Sequence, residues 1–233
     1  RCDGFQIEFS GNPGRWGRPD NLWGYSVMGA IERANVILQG LGLPAFSAGR
    51  CQSDSGRWSG CRLSRVDLTC NWHCGDRGGA AAVIAWLGGQ HVGRQKGVVA
   101  ADGQTVMYGY GGRYVSSKAY LKAQEMRVHG CDDNVLLETA EPICREEVTL
   151  KSRYLTETGL CWLGQWGDDT AERVFQERSQ MQRIESIEYE CLEGMPRHLR
   201  ATYADWINGR DTGLSRRTFY RHRSELLRYG VDI

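Results

Sequence analysis

No apolar run in the 233 residues approaches the ~18 that a membrane-crossing helix needs, and no secretion-signal pattern opens the chain. An excess of charge of one sign is missing too: 29 lysines and arginines stand against 28 acids, a balance of +1. Attraction to a polyanion must therefore come from local patches. These absences predict a cytoplasmic protein with no membrane partner. The nine cysteines are scattered and odd in number, which argues against a disulfide framework. Cys70-Asn71-Trp72-His73-Cys74 invites a zinc reading, but no second pair follows at ribbon or finger spacing, and reduced structural thiols are preferred. Gly109-Tyr110-Gly111-Gly112-Arg113 lacks the Gly-Lys-Ser/Thr ending and the helix of a phosphate-cradling loop, so it reads as a hairpin turn. The chain does not begin with methionine and reads as a piece of a longer protein. Its 41% hydrophobic and 24% charged content suits one substantial globular domain plus a small appendage.

Around that turn, Gln104–Tyr108 and Tyr114–Ser117 are β-branched and aromatic and predict two short strands. The second continues through Lys118-Ala119-Tyr120-Leu121-Lys122-Ala123-Gln124-Glu125. On an extended chain Tyr120 and Lys122 share a face, whereas Glu125 joins them only through a bulge or a switch to helix. A phenol beside an ammonium is a candidate nucleophile, because positive charge favours the phenolate. An aromatic in a sheet beside a solvated lysine is the plainer alternative. Arg62–Thr69 and Cys144–Lys151 also alternate, placing Arg65 with Asp67 and Arg145 with Glu147 on one strand face each. Carboxylates beside a tyrosine make a hard oxygen site suited to Mg2+ or Mn2+, which can polarise a phosphodiester under attack. Cross-strand ion pairs on a solvated face account for the same pattern.

At these residues the chain resembles the rolling-circle replication initiators of filamentous phages, the gene-two class. The resemblance runs in order through Ser10-Gly11-Asn12-Pro13, Asn21-Leu22-Trp23-Gly24, Ser64-Arg65-Val66-Asp67 and Lys118-Ala119-Tyr120-Leu121-Lys122. It continues through Arg145-Glu146-Glu147, Lys151-Ser152-Arg153-Tyr154-Leu155, Thr218–Arg223 and Tyr229–Ile233. It implies a palm-like sheet and a nickase and strand transferase that stays joined to the 5′ end of origin DNA through a tyrosine, here Tyr120. Tyr154 is the second choice, with helix-face packing near Leu160 and Trp162 as its alternative. Asp67, Glu125 and Glu147 are the expected Mg2+ or Mn2+ ligands, Lys122 the residue that lowers the phenol pKa, and Arg65 and Arg145 the groups that orient carboxylates or bind phosphate. The expected partners are single- and double-stranded origin DNA with a host helicase and polymerase. The His-hydrophobe-His pair of a different, larger class of tyrosine nickases is missing. A non-catalytic origin- or operator-binding protein and a relaxase of a mobile element remain as alternatives.

The fold class expected is α+β: a mainly antiparallel sheet backed by helices over 1–165, then a helical segment over 166–233. Phe5–Phe9 alternates and predicts an opening strand. Residues 11–24 hold four glycines and two prolines, with Arg15 and Arg18 around Trp16 and Trp23. Such a loop tracks single-stranded DNA or is pinned to the core by its tryptophans. Ser26 caps a predicted helix that ends at Gly40 and Gly42, and Asp76 leads into a second over 81–87. His129 reads as a surface or capping histidine, with metal binding the alternative. Residues 168–193 predict one charged helix, eight acids against three arginines, that stays off DNA. Residues 196–233 reverse the sign, with eight arginines against four acids. A helix closing at Asn208-Gly209 and a second from Ser215 resemble a helix-turn-helix reader, with a solvated basic helix as the alternative. The second carries Arg216, Arg217, Tyr220, Arg221 and Arg223 around an apolar seam of Phe219, Leu226 and Leu227.

Overall fold

A computed structural model describes residues 2–18, 20–92, 95–167, 169–181, 194–207, 211–229, 231 and 233. The α+β expectation holds. Helix α1 (Val27–Gly40) starts where the Ser26 hydroxyl accepts from the Gly29 amide. Strand β1 (Arg65–His73) follows, then α2 (Arg77–Gly89), capped by Asp76. After β2 (His91–Val92) and β3 (Gln95–Lys96) come β4 (Val98–Val99), β5 (Thr105–Tyr108) and β6 (Val115–Leu121). Helices α3 (Lys122–Val128) and α4 (Asn134–Ala140) lead to β7 (Ile143–Lys151), α5 (Ser152–Glu157) and α6 (Thr170–Arg178). Two more, α7 (Arg197–Ile207) and α8 (Arg216–Leu226), lie near the C-terminus.

Among the described residues the main sheet has five strands in the order β1-β7-β6-β5-β4, every pair antiparallel. Alternation gives it two unlike faces. Val66, Leu68, Cys144, Val148, Leu150, Ala119, Val106 and Tyr108 point to one side, against α2, α5 and α6. Arg65, Asp67, Thr69, Asn71, Arg145, Glu147, Thr149, Ser116, Lys118 and Tyr120 share the other. That face carries the charged and polar side chains of β1, β6 and β7. One end is flanked by α3 and α4, which pack on Leu22 and Ile143; the other ends at the 109–114 turn. A separate cluster, Met195, Leu199, Tyr203, Leu226, Val231 and Ile233, joins α7 to α8.

Several expectations change. Phe5–Phe9 forms no strand: the Asp3 carboxylate takes the Phe5 and Gln6 amides, leaving an isolated bridge between Cys2 and Ile7, with Phe5 in solvent. The β1 strand begins at Arg65, not Arg62. The charged helix ends at Arg178, because Ser179 and Gln180 turn inward to donate to the Glu146 carboxylate at 2.6 Å each; 182–193 lie outside the described residues. So does the expected closure at Asn208-Gly209. Leu227 is exposed rather than part of the α8 seam.

Candidate active site

Register brings the expected residues onto one surface. Tyr120 stands opposite Arg145, Lys118 opposite Glu147, and Thr149 opposite both Ser116 and Asp67. Asp67 and Glu147 are therefore diagonal neighbours on β1 and β7. Strand β6 stops at Leu121, and Lys122 is the first residue of α3, so Glu125 returns to the site through the helical switch.

A strap formed by residues 11–18 and 20–25 closes one end of this face. Arg145 donates through Nε to Asn71 Oδ1 at 2.7 Å and through its two terminal nitrogens to the Asn21 and Leu22 carbonyls at 2.8 and 2.6 Å. Lys122 Nζ, fully buried, donates to Asn21 Oδ1 and to Glu125 at 2.5 Å. Glu125 also meets Arg15 at 3.5 Å and His129 at 3.4 Å. A cavity of 220 Å3 lies between Leu22–Tyr25 and the side chains of Thr69, Asn71 and Arg145. Trp16 and Trp23 are each 62% exposed, so they do not pin the strap. Buried Leu22 and Asp20 anchor it instead, the latter accepting from the Leu22 amide at 2.8 Å.

Tyr120 is only 6% exposed. Burial pushes its hydroxyl well above the ordinary phenol value; Glu147 adds to the rise, and the positive charge of Arg145 opposes it. This corrects the expectation that Lys122 lowers the phenol pKa. The cation that opposes the rise is Arg145, while Lys122 is committed to Glu125 and is itself held down at about 8 by burial. Lys118 Nζ lies 5.1 Å from the centroid of the Tyr120 ring.

The three expected metal ligands do not form one cluster. Among the described residues no group of three or more His, Cys, Asp or Glu side chains is placed to hold an ion. Glu125 sits under the strap, Asp67 pairs with Arg65 at 2.9 Å, and Glu147 pairs with Lys118 at 3.1 Å. Cys70, His73 and Cys74 form no metal site either, and every cysteine described is free. His129 caps the end of α3. Tyr154 belongs to the core, 2% exposed, edge-on to Tyr114 at 5.2 Å and below Arg178.

On α8, Arg216, Arg217, Tyr220 and Arg221 are exposed, Arg223 is half-buried, and His222 and Leu226 face inward. The basic residues thus form the outer stripe of an amphipathic helix, with Arg216 5.8 Å from the Tyr220 ring centroid. Asn21 and Asn71 were not singled out as site residues in the sequence. Asn71 carried a signal, since it lies on the same alternating positions of β1 as Asp67.

The family described as the replication-associated protein of gene two, N-terminal, matches residues 3–169. The replication-associated protein of this kind from Enterobacteria phage I2-2 is 29% identical over 245 residues, covering 96% of this chain and 68% of that protein. Its counterpart from Escherichia phage If1 is 24% identical over 282 residues, covering 99% and 85%. No solved structure matches. With most of its length matched and the likeness carried on to the C-terminal helices, the chain belongs to the gene-two family of phage replication-associated proteins.

Proposed function

We propose that the chain starts rolling-circle replication as a sequence-specific DNA nickase and strand transferase, with Tyr120 as nucleophile. The observation that carries this reading is the shared polar face on which Tyr120, Arg145, Glu147 and Asp67 meet. The Tyr120 oxygen attacks the scissile phosphorus, the bond to the 3′ oxygen breaks, and the phenol proton leaves to solvent or the departing oxygen. The products are a 5′-phosphotyrosyl link and a free 3′-hydroxyl that a host polymerase extends while a host helicase opens the duplex. Attack of a later 3′-hydroxyl on the phosphotyrosine reverses the chemistry and returns the phenol.

Arg145 orients the phenol and neutralises charge developing on phosphorus. Mg2+ or Mn2+ suits two carboxylates completed by phosphate oxygens and water; Asp67 and Glu147 would hold it, and it would supply Lewis-acid polarisation of the phosphate. Glu125 instead braces the strap. Origin recognition falls to the α8 stripe, and Trp16 and Trp23 offer stacking surfaces to unpaired bases.

The test is an SDS-stable adduct between protein and end-labelled origin single strand, formed with Mn2+. The adduct should disappear in Tyr120→Phe and persist in Tyr154→Phe; the reverse pattern would refute the assignment. The burial of Tyr120 favours one second reading, a non-catalytic origin-binding protein. That reading wins if no adduct forms under any metal while the origin is still footprinted.

A further inference from the structure

A groove of 610 Å3 lies at the opposite end of the polar face from the strap, where β7 passes into α5. Gly112, Arg113, Lys151 and Arg153 line it, together with Thr156 and Glu157. Three cations thus surround one acid, and that acid is paired: Glu157 accepts from Arg153 at 2.8 Å. Lys151 donates to the Gly112 carbonyl, which holds the turn against the strand. Arg113 has no hydrogen bond or ion pair among the described residues. Beside it on the same turn, Tyr110 is 77% exposed. The turn is set by Gly109 and Gly111, at φ of 63° and 77°, a backbone that presents Tyr110 and Arg113 outward.

We propose that this groove is a second DNA subsite, which takes the phosphate backbone of single-stranded DNA, with Tyr110 stacking on a base. An unpaired guanidinium beside an exposed aromatic ring in an open basic channel fits a strand whose bases are splayed. A small phosphorylated ligand would call for a closed pocket instead. The groove lies along the same face as Tyr120. Six residues separate Tyr120 from Tyr114, roughly 20 Å at the usual rise of an extended chain. That span holds about six nucleotides at duplex rise and fewer in a stretched strand. A strand engaged at Tyr120 therefore reaches the groove a few nucleotides from the cut. That alignment rests on the nicking reading; the groove's affinity for the backbone does not.

The experiment is fluorescence anisotropy with a labelled oligo(dT) of ~20 nucleotides in EDTA, using the Tyr120→Phe protein as background so that no chemistry intervenes. Arg113→Glu should weaken binding about tenfold and flatten the salt dependence by one to two phosphates. Tyr110→Ala should weaken it about fivefold or more. Both side chains are exposed, so neither change disturbs the core. Arg77→Glu, an equal charge reversal at the start of α2, should leave affinity within twofold. Equal losses from Arg77→Glu and Arg113→Glu would reduce the effect to overall charge and overturn the site. Unchanged affinity in both groove variants would overturn it as well. A loss seen with duplex but not with oligo(dT) would assign the groove to double-stranded DNA instead. A failed adduct assay with these binding results intact would sink the nicking reading and spare the groove.

Discussion

Arg145 stands opposite Tyr120 across the β6–β7 pair, and its guanidinium holds the Asn21 and Leu22 carbonyls of the strap. One buried side chain therefore stands between the proposed nucleophile and the strap. Arg145→Ala leaves two carbonyls and Asn71 Oδ1 without their donor, which should cost about 3–5 kcal/mol. Urea unfolding monitored by tryptophan fluorescence measures this. Arg145→Lys should recover little, because an ammonium cannot reproduce three divergent bonds in one plane.

Lys122 gives stability a pH dependence of definite sign. Its native value is about 8, against ~10.4 for an unperturbed lysine. Between these values the unfolded chain holds a proton that the native chain has released, so this group's contribution rises with pH through the window and is flat below it. The urea midpoint of the wild type should climb from pH 8 to 9.5 relative to that of Lys122→Met. Parallel profiles would remove Lys122 as the source.

Under the proposed nicking reading, metal dependence should separate the three carboxylates. Asp67→Asn and Glu147→Gln should each raise the half-saturating Mn2+ concentration for adduct formation roughly tenfold or more. Glu125→Gln should leave that concentration unchanged and lower thermal stability instead, since its partners are Lys122, Arg15 and His129.

Tyr154 should matter for folding alone. Tyr154→Ala opens a hole beneath Tyr114 and should cost about 3–5 kcal/mol, measured by the same denaturation curves.

The α8 stripe predicts electrostatics without a stability change. Arg217→Ala and Arg221→Ala should each lower the slope of log affinity against log salt for duplex origin DNA by about 1. Their melting temperatures should stay at the wild-type value, as both side chains are exposed.

Much of the sheet was legible because a two-residue period survives in β1, β6 and β7. Arg65 with Asp67, Lys118 with Tyr120 and Arg145 with Glu147 fall on one face as alternation requires. The same period misled at Phe5–Phe9, where among the described residues only the isolated bridge between Cys2 and Ile7 forms. The strap was invisible, because it has no periodicity and its Asn21 meets Lys122 across 101 positions. The switch to helix at Lys122 carried no side-chain cap to announce it. The end of α6 was hidden for a related reason: its cause is Glu146, 33 positions earlier.

Arg145, Glu146 and Glu147 are consecutive, yet the outer two face the strap and Lys118 while the middle one lies 1% exposed beneath α6. Sliding β7 by a single residue would drive two unlike charges into the apolar layer and pull the carboxylate that ends α6 into water. The triplet therefore works as a phase marker, admitting one alignment of the central strand and penalising its neighbours. Whatever chemistry the polar face performs inherits its alignment from a residue that never reaches that face.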